Sequence, residues 1–256
     1  ADDYVDASTD LRFTPDLNSV AAVTFSFKVF DGTVYSAAAY VFTISITAVN
    51  DVPTTTGGSA SPAEDATHTF TTTAGDWGYV DVDSGDTMTS VDITTLPATG
   101  TLRYNSANVN AGDDIAIGDL GGLTYVPVAN ANGAVTFTFK VFDGDVLSAS
   151  VGTFTMTYSA VNDAPVAGVT SDQSVFEDLA FSFQTTQSTD VDGDSMTITC
   201  IETRGDMPAF LSETADSGGQ ATLGGTATLA SLTLADSGAD NTYAMTCTTS
   251  DGTLSS

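Results

Sequence analysis

The chain has 256 residues, with 33 Asp and Glu against 5 Lys and Arg and a formal net charge of −28. Five cations cannot build the basic face that phosphate contacts need, which excludes nucleic-acid binding and docking on an anionic membrane surface. Hydrophobic residues at 41% and aromatics at 9% supply enough apolar surface for packed cores, so the chain is not disordered.

No apolar run approaches the length that spans a bilayer, so no membrane insertion is expected in this segment. The N-terminus lacks a basic-then-apolar leader, which places any signal peptide outside this chain. Lys is nearly absent, while Thr, Val, Phe and Gly/Asp/Asn punctuation recur throughout. Those residues suit strands and turns, and the expected class is all-β. So much negative charge opposes compaction through self-repulsion. Either the carboxylates are spread along an extended shape or cations neutralise them locally.

An internal repeat organises the chain. Leu11–Pro53 overlays Leu123–Pro165 without a gap, so that Asp31 falls on Asp143. The shared text reads VTFxFKVFDGxV in the middle and AVND-x-P at the end. A weaker third copy runs over Asn241–Gly252 (NTYAMTCTTSDG). ED recurs at Glu64-Asp65 and Glu177-Asp178, and DVD at Asp81–Asp83 and Asp190–Asp192. This spacing predicts a partial domain over 1–50, a complete one over 51–162, and one over 163–256 that lacks its last strand. The simplest organisation is an excerpt from a longer tandem array. The alternative is strand exchange, in which neighbouring subunits complete each other's partial domains.

Within a repeat the period is two. Val135, Phe137, Phe139 and Val141 point one way, while Thr136, Thr138 and Lys140 point the other. Val23, Phe25, Phe27 and Val29 match the inward set in the first copy. About seven short strands in about 110 residues, separated by Gly, Asn, Asp and Pro turns, predict a Greek-key sandwich of two antiparallel sheets. Pro53 and Pro165 mark the domain junctions.

Tracing such a sandwich places the acids. Asn50-Asp51 forms the incoming linker. Asp81, Asp83 and Asp86 (DVDSGD) fall in the B–C turn, and Asp143 (FDG) ends strand F, all at the top. Glu64 falls in the A–B turn at the bottom, beside the outgoing linker Asn162-Asp163. The next repeat adds Asp190, Asp192, Asp194 (DVDGD) and Asp251 to its own top. Carboxylates gathered this closely repel one another. A hard divalent cation resolves the repulsion, because Ca²⁺ takes six to eight oxygen ligands from carboxylates, Asn and backbone carbonyls. Zn²⁺ would want His or Cys, and there is one His. Mg²⁺ prefers fewer protein ligands. Taken alone, FDG and VND are also ordinary turn formers. It is the junction set as a whole that points to calcium.

VNDAP at a junction, an early Glu, DxD in the B–C turn and DG after strand F resemble cadherin repeats. More closely, LTYVPVANANGAVTFTFKVFDG (Leu123–Gly144) is similar to the cadherin-like tandem repeats of large bacterial surface adhesins. MPAFLSET (Met207–Thr214) in the last copy resembles a sister subtype. The resemblance covers nearly the whole chain and implies tandem cadherin-like, immunoglobulin-like sandwiches in a linear array, with up to three Ca²⁺ at each junction. Carried over, Asp51, Asp81, Asp83 and Asp143 match the ligand motifs at the first junction, with Asn50 a carbonyl ligand. Glu64, Asn162, Asp163, Asp190, Asp192 and Asp251 match at the second. The linker here is V-N-D-A/V-P, shorter in acids than the cadherin D-x-N-D-N. The E–F acidic motif is replaced by VANANG. Both departures reduce the implied ion count to one or two.

Cys200 and Cys247 are the only cysteines. Cys247 aligns with inward Phe139, and Cys200 shares parity with Met196 and Ile198. Strands C and F are neighbours, so the expectation is a disulfide in an oxidising exterior, with two buried thiols the alternative. Arg204-Gly205-Asp206 spells RGD, a tripeptide frequent by chance and ordinary in turns. His68 aligns with Phe181 at a strand position and is expected at the core edge, and Trp77 is expected to pack before the DVD turn. No nucleophile elbow or triad accompanies His68. The paired carboxylates sit in turns, not in a glycosidase cleft, so no enzyme is expected. The Ser/Thr-rich outward faces are open to O-linked sugars.

These readings converge on an extracellular cell-surface protein, a calcium-stiffened stalk or fibre. Its expected partners are neighbouring repeats of the same chain or other copies in a fibre, with a cell-surface or glycan target possible. Two alternatives stand beside it. One is a filament subunit completed by strand exchange, and the other is a carbohydrate- or receptor-binding module.

Overall fold

Alternation between Thr and large apolar residues becomes strand wherever one face can be covered. The computed structural model describes residues 10–202, 210–216, 218–227 and 244–256. The chain divides into two units, Ala1–Ser159 and Ala160–Ser256. Regular structure among the described residues is almost all β-strand. RGD (204–206) and Met207–Ala209 of the MPAFLSET block lie outside the described residues.

The first unit opens with a hairpin, β1 (Val23–Phe27) against β2 (Tyr40–Ile44), paired antiparallel from Val23↔Ile44 to Phe27↔Tyr40. The alternation expected over Val23–Val29 is present, but Phe25, Phe27 and Val29 are exposed. A two-stranded ribbon has no second layer with which to bury them. Phe25 and Phe27 instead touch the rings of Phe42 and Tyr40.

A sandwich follows. Its strands are β3 (Thr54–Thr55), β4 (Gly58–Ala60), β5 (His68–Thr69), β6 (Tyr79–Val80), β7 (Ser90–Thr95) and β8 (Thr101–Tyr104). They continue with β9 (Ala107–Asn108), β10 (Asp114–Ala116), β11 (Leu123–Val126), β12 (Gly133–Phe142) and β13 (Gly152–Tyr158). One sheet has the order β10-β7-β12-β13-β4, the other β5-β11-β8-β9, and β3-β6 forms a separate ribbon. All pairs are antiparallel except β13 with β4, where Phe154 lies beside Gly58 in parallel. The expectation of antiparallel sheets therefore fails at the edge, where β4 joins the module's last strand, β13.

The core follows the predicted parity. Phe137, Phe139 and Val141 are buried against Phe70, Trp77, Ile93 and Leu123 from the facing layer and neighbouring strands. Each such side chain contributes about 1.5–3 kcal/mol on burial. His68 packs edge-on to Phe70, with ring centroids 4.8 Å apart, at the margin of this core. Burial holds its imidazole below the ordinary value.

The second unit repeats the plan in part. β14 (Ala180–Gln184), β16 (Leu211–Asp216) and β17 (Gln220–Thr226) form a sheet ordered β14-β17-β16. β15 (Thr197–Glu202) pairs with β18 (Met245–Ser250). Ile198, Cys200, Ala221 and Leu223 are buried between these layers. Cys200 lies directly opposite Cys247 in the β15–β18 register, and the two form a disulfide.

With its cysteines 47 positions apart, this bridge restrains the unfolded second unit by about 4 kcal/mol in the chain-entropy account. Trp77, the single tryptophan, belongs to the first unit and reports on it alone. Reductant is expected to lower the melting temperature of the second unit by calorimetry while leaving the Trp77 fluorescence transition in place. An unmoved calorimetric profile would show that the bridge adds nothing.

Candidate metal sites

In the first unit, the DVDSGD turn leaves β6 and doubles back on itself. The Asp83 N–H donates to Asp81 Oδ1 at 2.8 Å, and the Asp86 N–H donates to the Asp83 carbonyl at 3.3 Å. These bonds fold the loop so that carboxylate oxygens of Asp81, Asp83 and Asp86 lie within 4.8 Å of one another. Partial desolvation, then repulsion from Asp83, Asp81, Asp143 and Asp145, pushes the Asp86 carboxyl above its ordinary value. Tyr79 donates its hydroxyl to Asp81 Oδ2 at 3.2 Å. Burial first, and then this contact with Asp81, raises the phenol's pKa.

The linker is tied into the same end. Asp51 donates its N–H to Asp83 Oδ2 at 2.6 Å. The Asn50 amide nitrogen donates to Asp143 Oδ2 at 3.2 Å. Asp143 is nearly buried, and its Oδ1 accepts the N–H groups of Asp145 and Val146, both at 2.7 Å. Burial pushes its carboxyl up. Those two N–H donors and the Asn50 amide outweigh that effect and hold it below the ordinary value.

The second unit repeats this pattern. Asn162 donates to Asp251 Oδ2 at 2.7 Å, Asp163 N–H to Asp192 Oδ2 at 2.7 Å, and Asp192 N–H to Asp190 Oδ1 at 2.9 Å. Asp194 N–H reaches Asp190 Oδ1 at 3.4 Å. The Asn162 amide foremost, and then the Leu254 and Thr253 N–H groups, hold the Asp251 carboxyl below its ordinary value. Asp190 Oδ2 is fully buried without a hydrogen-bond partner.

Both readings of the FDG motif are therefore visible. Asp143 and Asp251 are turn formers through Oδ1, as is Asp31 with Thr33 and Val34. Through Oδ2 the first two are anchors for the linker Asn. The structure places Asn50, Asp51, Asp81, Asp83 and Asp143 at one end of the first sandwich. It places Asn162, Asp163, Asp190, Asp192, Asp194 and Asp251 at the matching end of the second unit. Glu64, in the turn after β4, is buried, and its N–H donates to the Ser159 carbonyl. Two participants escaped the ligand assignment. Asp86 was placed in the turn but not counted with Asp81 and Asp83, and Tyr79 sits two residues before Asp81, a spacing that alternation alone could have flagged.

The donors fit a hard cation. All are oxygens, several are carboxylates in mutual repulsion, and the buried Asp190 Oδ2 lacks a proton donor. Ca²⁺ takes such a set with flexible geometry. Once deprotonated, the chain's own Asp carboxylates would hold it, and the ion would supply positive charge and nothing redox.

Fold and acidic ends together define an all-β chain of β-sandwich units. No family profile matches it. Integrin beta-like protein E of Dictyostelium discoideum is 28% identical over 199 residues, covering 77% of this chain. Integrin beta-like protein C of the same organism is 29% identical over 204 residues. The chain spans 10% of the length of each of these relatives. Among solved structures, the chain is similar to mouse clustered PcdhgC3 EC1-3, at a TM-score of 0.43 and 12% identity, covering 92% of this chain and 73% of that one. Drosophila N-cadherin EC1-4 gives a TM-score of 0.34 at 12% identity, covering 94% and 58%. An endo-fucoidan hydrolase of glycoside hydrolase family 107 gives 0.30 at 20% identity, covering 95% of this chain and 34% of that one. No helix among the described residues is long and apolar enough to cross a membrane.

Proposed function

We propose that the chain is part of an extracellular adhesive or structural protein, a linear array of cadherin-like sandwiches with Ca²⁺ bound at the acidic end of each module. One observation carries this reading. The same three contacts recur in both units: linker Asn to the DG Asp, linker Asp N–H to the second Asp of DVD, and that Asp's N–H to the first. A turn needs none of the linker contacts. An ion held by the DVD carboxylates and the linker Asp together would fix the linker's direction, so that a string of modules behaves as a stiff stalk. Without the ion, repulsion among the carboxylates loosens the linker. The disulfide supports an oxidising compartment, and the relatives named as integrin beta-like agree with a cell-adhesion setting.

Small-angle scattering of the chain in calcium and in chelator, at one ionic strength, tests the reading. The expected result is a longer maximum dimension and a narrower distance distribution in calcium. Superimposable curves in the two conditions would defeat the stiffening.

A further inference from the structure

We propose that Tyr79 is a positioning residue for the first acidic cluster, its hydroxyl fixing the Asp81 carboxylate for a divalent cation in a way the second unit does not reproduce. This inference rests on the calcium reading above.

Asp81 receives two donors, one on each oxygen: the Asp83 N–H on Oδ1 at 2.8 Å and the Tyr79 hydroxyl on Oδ2 at 3.2 Å. A carboxylate held at both oxygens cannot swing away from its neighbours. Each oxygen keeps a further lone pair for a cation. The phenol also brings a proton donor into a group of like charges, which eases the repulsion among Asp81, Asp83 and Asp86.

Strand pairing identifies the counterpart in the second unit. Thr54 faces Val80 in the first unit, and Val166 faces Thr189 in the second. Tyr79 therefore corresponds to Ser188, and Asp81 to Asp190. Ser188 is buried and turned into its own sheet: its Oγ lies 2.9 Å from Thr249 Oγ1 and accepts the Gly168 N–H at 3.3 Å. Asp190 keeps the backbone donor on Oδ1, while its buried Oδ2 has no hydrogen-bond partner. The two ends share one backbone framework and differ in this contact. Groups that orient metal ligands from outside the first coordination sphere typically cost about tenfold or more in metal affinity when lost.

Calorimetric titration of the full chain with calcium, at fixed ionic strength, tests the inference, with Asp83→Asn and Asp192→Asn assigning the two sites. Tyr79→Phe is expected to weaken the first site about tenfold and leave the second at its wild-type constant. In an Asp81→Asn background, Tyr79→Phe is expected to have no further effect, because its target is gone. That cycle reads the coupling even if the single variant is less stable. Terbium emission excited through tyrosine is expected to fall at the first site in Tyr79→Phe. An unchanged or tighter first site, or a Tyr79→Phe loss that persists without Asp81, overturns the role of Tyr79 while leaving the calcium reading intact. A wild-type chain that binds no calcium overturns the calcium reading itself.

Discussion

Calcium is expected to raise the melting temperature of the first unit by about 10 °C, read through Trp77 fluorescence. A ligand that binds only the folded state adds about 2.7 kcal/mol when present at 100 times its dissociation constant. For a module of this size each kcal/mol moves the midpoint by roughly 4 °C. Asp83→Asn is expected to abolish the shift, because Asp83 joins the cluster to the linker through Asp51. Asp192→Asn, in the other unit, is expected to leave the Trp77 transition unchanged. Magnesium should reproduce little of the effect, since it demands near-ideal octahedral geometry and sheds water reluctantly. Sodium chloride at matched ionic strength controls for plain screening of repulsion. A sodium shift as large as the calcium shift would sink the site.

Acid is expected to remove the same effect in a definite order. The folded pKa of Asp86 is raised, so its ionised form destabilises the fold. Falling pH protonates it first and relieves that repulsion. The folded pKa values of Asp143 and Asp251 are depressed. Their stabilisation is present above the ordinary carboxylate pKa and is lost as pH falls through the depressed values. Calcium needs deprotonated ligands, so its shift should be full at neutral pH and fade as the cluster protonates. The turn anchors should give way only at lower pH still.

Much of this was legible in the amino acids because it depends on period and repetition. The alternation from Val135 to Val141 determines which residues of β12 share the apolar face, the one that packs into the core. The same parity puts Cys200 and Cys247 on inward positions, and the register of β15 on β18 brings them opposite each other. The direction of a side-chain amide is set by tertiary placement, so the Asn50 contact with Asp143 could not be read in advance. The exposure of Phe25 and Phe27 was invisible for a related reason: alternation says which residues share a face but not whether a second layer covers it. Short strands such as β8 to β10 carry too few residues for a period. Asp86 went uncounted because the ligand motif was matched as DxD, while the bond from its N–H to the Asp83 carbonyl curls the loop one step further.

Trp77→Ala is expected to destabilise the first unit by about 3–5 kcal/mol, the range for truncating a buried large aromatic. The side chain has no exposed surface. Its ring centroid lies 5.0 Å from Phe139, 5.3 Å from Phe154 and 5.5 Å from Phe70. Its Nε1–H donates to the Thr71 carbonyl at 3.2 Å. The backbone allows this burial through a single 3-10 turn, Ala74–Trp77, closed by Gly78 at φ 64°. Only a residue without a Cβ fits there, because a Cβ on Gly78 would run into Thr56 Oγ1 and the Gly57 carbonyl. The turn tips the indole inward and sends the chain straight into Tyr79 and Asp81, so the core and the acidic end share one short segment. The loss is therefore expected to appear twice. Chemical denaturation followed by circular dichroism should show the lower stability. Calcium affinity at the first site should fall as well, since the residues that aim Asp81 no longer rest on a filled core. Trp77→Phe, which keeps most of the ring packing, is expected to cost less and to retain binding. A Trp77→Ala chain of wild-type stability would mean that the aromatic cluster does not hold this module together.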